Sequence, residues 1–187
     1  MEEILDEPLI EINKNTVKYG GFWKRFVAVL IDGVILTPVT LGVTYFNTID
    51  WKNPAIFIAV SLAGMAYKPV MESLYGATLG KMALKLKVVN GNFEMAGIGT
   101  ILLRNSLSLV PSIVTLAMTL PVYFHAEFAS VSGFMEYTSF IEGHTSAQVV
   151  NMFSGLITIV DGIVMMADNR SRSLHDKIAD TLVIDRS

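Results

Sequence analysis

Four long apolar runs, at about 26–46, 54–75, 99–124 and 147–167, set the terms on which this chain can fold. A helix rises about 1.5 Å per residue, so roughly 20 apolar residues cross the ~30 Å hydrocarbon core of a bilayer. Each run supplies that length. Buried helices of a water-soluble domain are usually shorter and carry polar residues at a helical period. The expected fold is therefore an all-α membrane protein: a four-transmembrane-helix bundle forming one membrane domain over residues 1–187, with 1–18 as a polar tail. Composition agrees. Of the 187 residues 52% are hydrophobic and only 17% charged, against about a quarter charged in an ordinary soluble domain. The tail is acidic and no small-residue cleavage pattern follows the first run, so that run reads as a retained anchor rather than a signal peptide.

Basic residues orient the spans. Lys14, Lys18, Lys24 and Arg25 precede the first; Lys81, Lys85, Lys87 and Arg104 lie between or at the near ends of the second and third; Arg170, Arg172, Lys177 and Arg186 follow the fourth. The loop between spans one and two holds only Lys52. Residues 125–146 hold no Lys or Arg, but contain Glu127, Glu136 and Glu142. The positive-inside rule then puts both termini and the middle loop in the cytoplasm of a multi-pass cell (inner) membrane protein.

The middle loop has a pattern of its own. In "GATLGKMALKLKVVNGNFEM", Leu79, Met82, Ala83 and Leu86 recur at helical spacing with Lys81 and Lys85 on another side. This predicts a short basic amphipathic segment at the membrane surface, suited to anionic lipid heads. "LKVV" followed by "NGN" predicts a strand and tight turn. "DTLVID" near the C-terminus predicts a partner strand, giving a small β element beneath the bundle. "GATLGK" is no phosphate loop, because its glycines are four apart rather than five and Met82 stands where Ser or Thr is needed.

Six ionisable residues fall in the cytoplasmic half of the spans: Arg25, Asp32, Lys68, Glu72, Arg104 and Asp161. Asp32 lies seven residues beyond Arg25, about 10 Å deeper. Charged side chains at a helix centre cost about 2.5–3.5 kcal/mol, so they face the bundle and find partners. Arg25 with Asp32 and Lys68 with Glu72 can pair along one helix, and Arg104 with Asp161 across two. The expectation is a polar cavity or ion-pair network that forms a transport cluster or holds the bundle together. Lys68, Glu72 and Arg104 have a second reading, in which they snorkel to the interface. Asp32 and Asp161 are too short for that. The outer half carries hydroxyls and amides but no ionisable group, which counts against a simple pore.

No catalytic residue, cofactor or metal site is expected. Cysteine is absent, His125 and His144 lie far from His175, and no nucleophile–base pair occurs, so the chain does not read as an enzyme. A net charge of −3 speaks against nucleic acid. The expected partners are the lipid bilayer, its anionic heads and, since four spans make a thin bundle, further copies of the chain.

Three ordered motifs, "GFWKRFVAVLIDGVIL", "GATLGKMALKLKVV" with "LLRN", and "RSLHDKIADTLVI", resemble the RDD family of bacterial membrane proteins, named for one arginine and two aspartates. The resemblance maps these onto Arg25, Asp32 and Asp176. It implies a membrane protein for which transport has been suggested, including monovalent cation/proton antiport in some members. The rival class is a non-transport scaffold, assembly or lipid-binding protein.

The orientation is testable in a chain without native cysteines. A single cysteine at Ser130 should react with an impermeant thiol reagent added to intact cells, and one at Ser187 only after lysis. The reverse pattern would invert the topology.

Overall fold

The computed structural model describes residues 17–187; most of the acidic tail, and with it the reading of that tail, lies outside the described residues. The protein is 74% helical. Four helices are long and apolar enough to cross a membrane. They are α1 (Phe22–Phe46), α2 (Pro54–Tyr75), α4 (Ile98–Thr119) and α6 (Ala147–Ala167). Short helices α3 (Leu79–Ala83) and α7 (Leu174–Ile178), with strands β1 (Lys18–Tyr19), β2 (Leu86–Asn90) and β3 (Thr181–Asp185), gather at one end of the bundle. Helix α5 (Phe134–His144) lies at the other.

Local chemistry sets the ends of α2. Pro54 occupies its first turn, where a missing N–H costs nothing, and the Asn53 side chain accepts from the Ala55 N–H at 2.9 Å. Gly76 closes the helix at φ 71°, a left-handed conformation glycine adopts without a Cβ penalty, and donates to the Glu72 carbonyl. Apolar side chains such as Val34, Val39, Ile113, Phe153 and Ile163 point outward from the spans. So much exposed hydrocarbon is the surface a bilayer would cover.

The sheet is antiparallel in the order β1-β3-β2, with Val88 opposite Val183. Pairing of the two predicted strands is thus realised, and a third strand joins from just before α1. Strand alternation explains what β3 does. Thr181, Val183 and Asp185 share one face: Thr181 meets Arg104, Val183 enters a core with Ala28, Leu86, Val88, Ala96 and Ile101, and Asp185 pairs with Lys24. The other face packs Val89, Leu182 and Ile184 with Val17, Tyr19 and Phe93. A second core at the opposite end joins Val122, Tyr123, Phe128 and Val131 to Phe57 and to residues of α5.

The surface amphipathic segment folds differently from its sequence pattern. Lys81 turns inward and is 6% exposed, whereas Leu79 and Met82 point outward at 39% and 45%. The physical reason is a buried carboxylate, Glu72, at 2.5 Å from the Lys81 Nζ. An ion pair in a low-dielectric interior outweighs the exposure of two apolar side chains, which here face the region lipid would occupy. Only a glycine fits beside Lys81. A Cβ on Gly80 would overlap the Ala28 carbonyl of α1, while one on Gly99 meets nothing.

Alanine normally improves a helix relative to glycine, so Gly80→Ala is diagnostic. Overpacking should make it destabilising by about 1–3 kcal/mol, read as a lower melting temperature and folded yield in detergent, whereas Gly99→Ala should be neutral or stabilising. Unchanged stability of Gly80→Ala would mean that α3 does not rest on α1.

Candidate functional site: a buried ion-pair network beside an intramembrane cavity

The network forms where helices and sheet meet. Ser173 caps α7 and Asp176, three residues on, completes a capping box, so local sequence points this carboxylate into the bundle. Its Oδ2 accepts from Arg25 Nη1 at 2.5 Å and from the Ser173 N–H and hydroxyl at 3.1 and 3.0 Å. Its Oδ1 accepts from Arg104 Nη1 and, at 3.3 Å, from the Thr181 hydroxyl. Arg25 is steadied by donation from Nε to the Gly20 carbonyl at 2.7 Å.

Glu72 is the second shared carboxylate. Lys81 takes Oε1, while Oε2 lies 3.2 Å from both Arg104 Nε and Asn105 Nδ2. The Arg104 contact is an ion pair that falls short of hydrogen-bond geometry. Glu72 and Asp176 have no exposed surface, and Arg25, Lys81 and Arg104 are 6%, 6% and 2% exposed. Arg104 bridges the two carboxylates, so α1, α7, α4, α2 and α3 are tied in one chain of charge.

The expected pairings are mostly redrawn. Arg25 does not meet Asp32, because it points toward the sheet, where Gly20 and Asp176 hold it. Asp32 points at α3, accepting from the Gly80 N–H and the Tyr67 hydroxyl, each at 2.7 Å. Lys68 does not pair with Glu72, whose oxygens are already taken; among the described residues its Nζ has no acceptor. Arg104 reaches Asp161 only through His175. Arg104 Nη2 lies 3.2 Å from His175 Nε2, and His175 Nδ1 lies 2.8 Å from Asp161. Since Arg104 can only donate, Nε2 accepts and Nδ1 carries the proton, which is a neutral imidazole. Burial pulls the His175 pKa below its ordinary value, against the opposing hydrogen bond that Nδ1 donates to Asp161, and favours the same form.

Burial likewise draws the Lys81 ammonium down to about 8, with Glu72 opposing. Burial pushes the Asp176 carboxyl up, but the Arg104 and Arg25 guanidinium groups outweigh it and hold it well below the usual carboxylate range. Sequence reading left Lys81, Ser173, Tyr67 and Thr181 out of the cluster. The one local signal was the Ser173-x-x-Asp176 capping box; the rest are meetings between distant segments.

Beside the network lies a cavity of about 720 Å³ between α2, α4, α5 and α6. Lys68 and Asn105 line its end nearest the network. Ser61, Ser108, Ser112, Thr115 and Asn151 line its length, and Glu142 of α5 its far end. Among the described residues no group of His, Asp and Glu side chains suits a metal ion.

Together, four membrane-length helices, a capping sheet and a buried network of shared carboxylates define a multi-pass integral membrane protein. The sequence pattern of the RDD family, a membrane family, matches residues 19–180, and the chain belongs to that family. No curated protein and no solved structure matches it.

A carboxylate with a depressed folded-state pKa stabilises the fold above the ordinary Asp value of ~3.9, and that contribution drains away as pH falls below it. Melting temperature in detergent should therefore drop on acidification below about pH 4. Asp176→Asn, which strands two buried guanidinium groups, should cost about 3–5 kcal/mol at pH 7 and flatten the acid-side fall. If Asp176→Asn melts like wild type at pH 7, the network does not hold the fold.

Proposed function

We propose that this RDD family protein lets a small ion or solute move across the cell (inner) membrane, with both termini and the sheet on the cytoplasmic side. The observation that carries this reading is the 720 Å³ cavity inside the spanning region, of a size usual for small-molecule sites. Hydroxyl and amide side chains on α2, α4 and α6, the groups the sequence offers in the outer half, give its mainly apolar wall polar points. The network closes its inner end with salt-bridged side chains, which suits a gate. The Lys/Arg asymmetry supports the orientation.

Monovalent cation/proton exchange, suggested for some family members, would fall in this chain to Asp32. Among the described residues that carboxylate makes no ion pair and accepts from the Tyr67 hydroxyl and the Gly80 amide. A second reading, a scaffold or assembly protein that works by its fold, draws on the saturation of Glu72 and Asp176. Both are fully occupied by fixed partners.

Purified protein in liposomes should take up at least one of labelled Na+, K+ or a small carboxylate. Ser112→Trp, which places bulk on the cavity wall, should reduce that uptake at least tenfold without lowering the melting temperature. If uptake comes from the Asp32 route, Asp32→Asn should abolish proton-coupled Na+ or K+ movement in a folded protein. Wild-type vesicles impermeable to all three would reject transport and leave the scaffold reading.

A further inference from the structure

Lys68 is the charge the network leaves over. It sits on α2 one turn from Glu72, yet both Glu72 oxygens are occupied, by Lys81 on one side and by Arg104 and Asn105 on the other. Asp176 is likewise saturated by two arginines, Ser173 and Thr181. Asp161 is held by His175. Glu72 attracts Lys68 without an ion-pair contact, so the ammonium N–H groups are left to spend, and the space beside them is the cavity.

The rest of the wall narrows what that ligand is. Ser108 and Ser112 donate their hydroxyl protons back to their own helix, to the Asn105 and Ser108 carbonyls at 2.9 and 2.8 Å. Thr115 donates to Asn151 at 3.1 Å. The Ser61 hydroxyl and the Gln148 and Asn151 amide nitrogens are not spent among the described residues, so this wall offers donors as well as acceptors. One fixed cation at the inner end, hydroxyl, amide and apolar side chains along the length, and the Glu142 carboxylate at the far end make a site with one direction to it.

We propose that the cavity binds a small organic monoanion, its carboxylate or phosphate oxygen on Lys68 Nζ and its partly apolar body lying along α4 toward α5. Lys68 supplies a charge-assisted hydrogen bond as a compact point charge. The hydroxyl and amide side chains on the wall take any polar group on the body. Glu142 repels a second acidic group at the far end and so selects against dianions extended along the cavity. The inference rests on the reading of the cavity as a solute site but not on flux: a bound anion that is never carried would uphold the site and reject transport.

Benzoate, benzyl alcohol and benzylamine share a body and differ in charge, so they serve as probes. Binding to the full chain in nanodiscs is measured by isothermal titration at pH 7. Benzoate should bind at least tenfold tighter than benzyl alcohol, with benzylammonium weakest, and Lys68→Gln should remove the preference for benzoate while Lys68→Arg keeps it. Benzoate heat that is identical in wild type and Lys68→Gln, benzylammonium binding as tightly as benzoate, or no benzoate binding at millimolar concentration would each overturn the proposal. The charge order in the wild-type protein decides the matter even if Lys68→Gln does not fold.

Discussion

The structure depends on one arrangement: the Asp176 carboxylate between Arg25 and Arg104, out of reach of water. Taking such charges from water costs several kcal/mol each, and their attraction repays this only where every lone pair and proton is placed. The fold supplies most of that placement through the α7 capping box, the Thr181 hydroxyl on β3 and the Gly20 carbonyl before α1, while Arg25 Nη2 and Arg104 Nε find no hydrogen-bond partner among the described residues. The sheet and α7 are therefore part of the membrane domain's own stability. Asp176 sits within five residues of β3, and β3 is the central strand that joins the segments before α1 and after α3.

Arg104 extends the arrangement sideways. Its guanidinium faces Asp176, Glu72 and His175 at once, a task for a planar, permanently charged group with donors on several edges. Through Glu72 it reaches Lys81 on α3, and α3 in turn presents its Gly80 amide to Asp32 on α1. The polar groups thus run in a circuit around the inner end of the bundle and fix how α1, α2 and α4 pack there. Among the described residues Lys68 stands beside this circuit without an ion-pair contact of its own.

Legibility in the sequence varied with the range of the interaction. The four spans, the RDD family assignment and the pairing of "KLKVV" with "DTLVID" followed from hydropathy, motif order and alternation, which act within a segment or between two strong patterns. The amphipathic reading of α3 misplaced Lys81, because helical periodicity describes which residues share a face and is silent on which face turns inward. Pairing Arg25 with Asp32 and Lys68 with Glu72 by spacing failed for a related reason. Residues seven or four apart on a helix are free to pair, but a partner from another element with better geometry displaces the local one.

The amino-acid sequence by itself determined that this protein lives in a membrane and into which family it falls, since a run of about twenty apolar residues has no other low-energy home. It also determined which ionisable groups must find company, because a buried charge is too costly to stand alone. Only the tertiary structure decided whose company each one finds. Arg25, Arg104 and Asp176 come from positions up to 151 residues apart, and Lys81 enters the bundle from a segment outside the spans. Which carboxylate oxygen remains for which cation is settled by the packing of five elements together, and that is why Lys68, among the described residues, makes no ion-pair contact with Glu72 one turn away.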